Sequence, residues 1–246
     1  MSVKRGASCY HKNMQKFTAI VIASREANEF DRIYTFYSRE IGIIRASGKG
    51  VRKPEARLAG HLEPGTIVEI YVARSRGMGK ITGAITLENF ENVKKDLAKL
   101  GEFLKVSKFF LRNFSEEEKD ERIFDLLCGF MLILNGVDDV DLVKEAFWWK
   151  LFDALGNRPE VMKCLHCGKK ITERSKKYFS VRKGGIICPA CAPNFEGLIQ
   201  VNDNQIKLLR IFWGNGLEKM TKVKADKNDI EGLARVKSAF ARHNFR

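Results

Sequence analysis

Four cysteines restrict how this chain can fold more than any other feature. Cys164 and Cys167 are separated by two residues, as are Cys188 and Cys191, and 20 residues lie between the pairs, in the stretch KCLHCGKKITERSKKYFSVRKGGIICPACA. Each CxxC turns two sulfurs toward one point, and two such knuckles complete the tetrahedron that Zn2+ accepts without strain. Gly168 and Pro189 suit tight turns beside the knuckles, and YFSVRKGGII reads as a hairpin turning at Gly184–Gly185. With sulfur at all four corners no position is left for water, so the expected zinc, one per chain, is structural and not catalytic. An iron–sulfur cluster would use the same ligands. A redox CxxC calls for a thioredoxin-like βαβ setting that the flanking sequence lacks, and four inert buried thiols would have no reason to fall in matched pairs. His166 reads as a solvent-facing knuckle residue, Cys9 as a thiol in the N-terminal tail and Cys128 as a small apolar group in a helix.

A module of this size has little core of its own, so the rest of the chain must supply one. The chain has 246 residues, 44% of them hydrophobic. Residues 17–90 carry five short β-branched and aromatic runs, FTAIVIAS (17–24), DRIYTFYS (31–38), IIRASGKG (43–50), TIVEIYVA (66–73) and KITGAITLENF (80–90), separated by Gly- or Pro-bearing turns. Five strands in so short a span have exposed edges unless they close, and the OB-fold is a five-stranded closure common among nucleic-acid binders. After Phe90 the apolar period lengthens, which predicts a helical face of Val93, Leu97, Leu100, Leu104 and Leu111. Ser115 and Glu118 have capping-box spacing ahead of a helix running from Ile123 to Leu134 and ending near Gly136. Asp138 or Asp139 is expected to cap a third helix that turns Leu142, Ala146, Trp149 and Leu151 inward, before Gly156 and Pro159 stop it. Asp203 and Asp226 are expected to start two more. The fold class is α+β and multidomain: an N-terminal extension (1–15), an OB-fold (16–90), a helical domain in two parts (91–160 and 197–246) and a four-cysteine zinc module (161–196) embedded in it.

Charge adds a direction to this plan. The net charge is +14, divided as +8 over residues 1–80, −5 over 81–160 and +11 over 161–246. Two basic ends favour phosphate-rich partners. In the first, Arg32, Arg39, Arg45, Lys49, Arg52, Lys53 and Arg57 lie on and between the strands, and Arg74, Arg76 and Lys80 flank the last turn, where loops beside an OB groove would track a phosphate backbone. In the second, Lys169, Lys170, Arg174, Lys176, Lys177, Arg182 and Lys183 make the zinc module a secondary basic surface. Tyr34, Phe36, Tyr37 and Tyr71 alternate on strands, and core packing is the expected role for most of them, as it is for Trp148 and Trp149 on their helix. GMGKIT (77–82) resembles the end of a phosphate-binding loop, but Arg74 and Ile81 stand where a Walker A motif needs Gly and Ser/Thr, and a strand follows instead of a helix. There is no HExxH, GxSxG or carboxylate triad, so no enzyme is expected. No signal peptide or apolar run of membrane-spanning length is present in the sequence, which reads as cytosolic with reduced thiols.

Several of these segments combine into a resemblance. Glu29-x-Asp31-Arg32, Arg39-Glu40-x-Gly42, Lys49-Gly50-x-Arg52-x-Pro54, Arg57 to Pro64 and Gly77-x-Gly79 resemble the N-terminal part of the RecO family of bacterial recombination mediators. The order that follows, with Gly156, Pro159, Cys164 and Cys167 entering the zinc module, is similar too. Glu55 and Ala56 depart from it, standing where members often carry Lys and Ser. The resemblance implies an OB-fold, a helical domain and a zinc module, with non-catalytic activities: binding single- and double-stranded DNA, annealing complementary strands, and acting with RecR and single-strand-binding protein (SSB) to help load RecA. It implies a cytoplasmic, nucleoid-associated protein with no membrane partner and no small-molecule substrate. On the residues alone, an OB-plus-zinc-ribbon protein of translation or RNA processing, or a protein-interaction scaffold, stays open.

Overall fold

The computed structural model describes residues 14–53, 56, 58–73, 78–116, 118–173 and 176–245. The chain divides between Phe124 and Asp125 into two compact units.

The first unit is built on five strands, β1 (Met14–Glu26), β2 (Arg32–Ser38), β3 (Gly42–Gly48), β4 (Ile67–Ala73) and β5 (Gly79–Glu88). They close in the order β1-β2-β3-β5-β4, with β4 pairing back onto β1. Neighbours are antiparallel except for β3 and β5, whose short parallel pairing of Ala46 with Gly79 and Ser47 with Lys80 shuts the barrel. Closure leaves no sheet edge. This is the five-stranded OB topology expected from the run of strands. The strands begin and end within a few residues of the expected spans, and Met14 and Gln15, placed by sequence in the N-terminal extension, pair with Ala73 and Val72.

Alternation decides which side chains fill the barrel. Phe17, Ala19 and Val21 of β1, Tyr34 and Phe36 of β2, Ile44 and Ala46 of β3, and Val68, Ile70 and Val72 of β4 point inward. On the opposite face of β2, Tyr37 is equally buried, against Phe110, Phe114 and Phe124. Strand β2 is therefore covered on both sides, so Tyr34, Phe36 and Tyr37 are all core residues. The turn into β3 needs Gly42: its φ is +79°, and a Cβ there would lie 2.2 Å from the carbonyl oxygen of Glu118.

Beyond the barrel the expected helical face is corrected. Residues 91–113 form two helices, α1 (Glu91–Lys95) and α2 (Leu97–Asn113), because Asp96 takes up an extended ψ of 116° and its carboxylate accepts the N–H groups of Ala98 and Lys99. That cap restarts the helical register. The buried stripe of α2 is Phe103, Val106 and Phe110, with the Ser107 hydroxyl donating to the Ile22 carbonyl at 2.7 Å. Leu97 and Leu104 face out, 87% and 54% exposed. Where two stripes compete for one barrel wall, the one carrying phenylalanines removes more area from water. The cap of α3 (Glu121–Gly136) is likewise not Ser115. Asp120 accepts from Arg122 N–H at 2.9 Å, while Ser115, further back, donates its own N–H to Glu118.

The second unit packs α4 (Asp141–Ala154), α5 (Asp203–Gly214) and α6 (Lys227–Asn244) around aromatic rings. Trp149 meets Phe152, Phe179, Trp213 and Phe240 within 6.5 Å between centroids. The Asp139 carboxylate accepts the Asp141 N–H at the head of α4, and Asn202 with Gln205 forms a full capping box on α5. Asp226 caps α6 as expected. Glu145 of α4, 1% exposed, is paired with Lys237 of α6 at 2.6 Å. A three-stranded sheet, β7-β6-β8, carries the cysteine module: β6 (Lys177–Ser180), β7 (Gly185–Ile187) and β8 (Leu198–Val201). The β6–β7 hairpin was expected, whereas β8 was not. Among the described residues no helix is long and apolar enough to cross a membrane.

Candidate nucleic-acid interface and metal centre

The two CxxC segments bring all four Sγ atoms within 4.8 Å of one another. Each knuckle is set by backbone hydrogen bonds. In the first, Cys164 N–H donates to Lys169 O and Gly168 N–H returns to Cys164 O. In the second, Cys191 and Ala192 N–H both donate to Cys188 O. Across the pair, Cys188 N–H donates to Cys164 Sγ at 3.3 Å, and Cys167 and Cys188 Sγ lie 3.8 Å apart. A metal–sulfur bond of ~2.3 Å in a tetrahedron gives sulfur–sulfur edges of about 3.8 Å, so the cluster is sized for one ion. Its electrostatics ask for a cation. Burial raises the Cys164 thiol, but hydrogen bonds from the backbone N–H groups of Cys167, Cys188 and His166 outweigh it and bring the thiol down to about 6. Cys191, through burial and its hydrogen bonds with Cys188, Cys167 and Cys164, is pushed up to about 12. His166 packs edge-on against Phe195 and lies outside the ligand set. Ile187, Ile171 and Phe195 form only a small apolar cushion beneath the sulfurs.

The structure separates the basic residues of the barrel into groups. Arg32 and Gly48 are register partners, as are Ser47 and Lys80, so Arg32, Lys49 and Lys80 share one end of the barrel. Arg52 and Lys53 join them because the Arg52 N–H donates to Phe30 O and Lys53 stands over the Phe30 ring at 5.6 Å. Asp31 ties this end together: it accepts from Lys49 Nζ at 2.8 Å, Gly50 N–H at 2.7 Å and Asn28 Nδ2 at 2.9 Å, which hold its carboxyl well below the usual range. Arg45 lies mid-strand on β3, paired with Glu116 at 3.0 Å. Arg39 is at the far end of β2, roughly 20 Å along the strand at ~3.3 Å per residue, with its guanidinium 5.5 Å from the Phe124 ring. Arg57, Arg74 and Arg76 lie outside the described residues, as do Pro54, Gly77 and Arg174. Sequence reasoning missed Phe30, a 43% exposed ring among these cations. The available signal was an aromatic side chain in the polar turn NEFD.

On the cysteine module, Lys169, Lys170, Lys176, Arg182 and Lys183 are exposed. Lys177 is not part of that surface. It is 2% exposed and its ammonium is bonded to Asp203 at 2.5 Å. Two residues before the buried Phe179 on the same strand, it points with Phe179 away from solvent, and a period of two counted back from that ring would have placed it there.

The chain thus joins a closed five-stranded barrel with a basic end to a helical unit whose four clustered sulfurs could hold a metal ion, the architecture of a multidomain α+β protein. Residues 14–90 match the family model of the recombination protein O N terminus and residues 94–244 that of its C terminus. The chain belongs to the RecO family. It is 32% identical over 228 residues to the DNA repair protein RecO of a Roseiflexus species, covering 92% of this chain and 79% of that one. To the DNA repair protein RecO of Dehalococcoides mccartyi strain 195 it is 29% identical over 218 residues, covering 89% and 85%.

Proposed function

We propose that this protein is a non-catalytic DNA-binding mediator of recombinational repair. The observation that carries the reading is the convergence of Arg32, Lys49, Arg52, Lys53 and Lys80 with exposed Phe30 at one end of the closed barrel. Cations spaced around an aromatic ring suit the phosphates and unstacked bases of a single strand without reading sequence. Binding of single- and double-stranded DNA and annealing of complementary strands follow as its activities. Cooperation with RecR and SSB in loading RecA gives them their setting, in the cytoplasm at the nucleoid. The four cysteines hold one Zn2+, a structural ion that fixes the fold of residues 161–196.

Fluorescence anisotropy of labelled single-stranded DNA across a salt series tests the reading. Each phosphate neutralised contributes about 0.7 to the slope of log K against log salt, so changing Lys49, Arg52, Lys53 and Lys80 together to Ala should lower the slope by roughly 3. An unchanged slope in a folded variant, or tighter binding to matched RNA than to DNA, would overturn it.

A further inference from the structure

The second unit contains a cleft of about 500 Å3 lined by Arg158, Pro159, Val161, Met162, Arg210 and Trp213. Three observations show what it is shaped to hold. The Arg158 guanidinium lies over the Trp213 ring at 4.6 Å, with 55% of the side chain exposed and only a long 3.8 Å approach to Asp153. This leaves a planar, cationic shelf open to solvent. Beside it, Arg210 donates through one terminal nitrogen to Val161 O at 3.0 Å, while its buried Nε finds no hydrogen-bond partner among the described residues. The Arg210 guanidinium also lines the cleft, so its positive charge beside the shelf favours an oxyanion there. Glu160, also in the wall, turns one carboxylate oxygen onto the Met162 N–H at 2.6 Å.

The wall of the cleft also has a direction. Met162 runs straight into the first cysteine knuckle, where Lys163 pairs with Lys170 and the Ile171 N–H donates to Met162 O. Lys163, Lys169 and Lys170 are all exposed. Three exposed lysines therefore lie close along the chain to the cleft wall at Met162.

We infer that this cleft takes one unstacked nucleotide of a single strand, its base on the Arg158–Trp213 shelf, a phosphate oxygen on Arg210 and the neighbouring phosphates along Lys163, Lys169 and Lys170. The inference rests on the DNA-binding reading and adds a second, independent contact site. Exposed cations suit a polyanion, and a flat cationic shelf suits a nucleobase, which stacks whatever its identity.

Trp213 supplies the readout, since Trp148 and Trp149, the other two tryptophans, are buried. The full-length protein is titrated with oligothymidylate of about ten nucleotides, within the ~4–16 spanned by single-strand sites, following tryptophan fluorescence and the anisotropy of a 5′ label together. The expected result is quenching that tracks anisotropy, is lost in Trp213→Phe and is weakened about fivefold or more, as loss of one stacking contact predicts, in Arg158→Ala. Arg158 is exposed enough for that variant to fold, which circular dichroism checks. Anisotropy without quenching, and unchanged affinity in Arg158→Ala, would overturn the cleft while leaving the barrel site standing. Quenching by an acidic peptide but not by the oligonucleotide would make it a peptide site and also overturn it. No oligonucleotide binding at all would remove the parent reading and this one together.

Discussion

Lys177, held in the core, and Lys176 beside it, left on the surface, test whether a cation's burial separates stability from DNA binding. Lys177→Ala removes an ammonium that is 2% exposed and bonded to Asp203. Breaking a fully buried pair costs about 3–5 kcal/mol because a charge is stranded away from water. Asp203 keeps 32% of its side-chain surface, so its carboxylate can rehydrate and the electrostatic part falls toward the ~1 kcal/mol of an exposed pair. The aliphatic stem beyond Cβ, at ~0.8 kcal/mol per methylene, adds about 2 kcal/mol. The expected loss is about 3 kcal/mol, a fall of about 1.5 M in the urea midpoint for an m-value of about 2 kcal/mol/M. Lys177→Met keeps most of the stem and should lose only about 1 kcal/mol. DNA affinity, measured on folded protein, should be unchanged in both. Exposed Lys176→Ala should behave oppositely, with unaltered stability and a shallower salt slope. A Lys177→Ala protein as stable as the parent, or one whose salt slope falls as far as that of Lys176→Ala, would refute the assignment.

Three further outcomes are expected. Phe103→Ala should cost about 3–5 kcal/mol, whereas Leu104→Lys, one residue on but facing solvent, should stay within about 0.5 kcal/mol of the parent; equal losses in thermal melts would restore the leucine face. Metal analysis should find one zinc and no iron per chain, and Cys164→Ser should lower the melting temperature more than the DNA affinity of the folded fraction; a variant as stable as the parent would show that the four sulfurs hold no structural ion. The Asp31 carboxyl is depressed, so its contribution is complete above its ordinary value near 3.8 and is lost as pH falls through the lower folded value. Asp31→Asn should therefore destabilise the protein at neutral pH and flatten the stability loss below about pH 4, and an acid limb as steep as the parent's would count against the Asp31 network.

The order of elements and the clustering of the four cysteines were legible because they rest on local signals. Strand alternation, Gly- and Pro-bearing turns and paired CxxC spacing act within a few residues, and they located all five barrel strands, the β6–β7 hairpin and the four sulfurs. Choices between equivalent local patterns were made elsewhere. The stripe of α2 that turns inward was decided by the Asp96 cap and by which side chains could cover Ile22 and Tyr37. Lys177 was counted as surface because charge alone does not reveal which face of β6 meets the aromatic core around Trp149. The grouping of Arg32, Lys49, Arg52, Lys53 and Lys80, with Arg39 at the opposite end of β2, follows from strand register. The Arg158–Trp213 shelf joins residues 55 positions apart through the packing of α5. The sequence by itself determined what the elements are and which atoms can bind metal, since those depend on neighbours along the chain. Only the tertiary structure decided which cations act together, because hydrogen-bonded register and core burial, not spacing, set the distances between them.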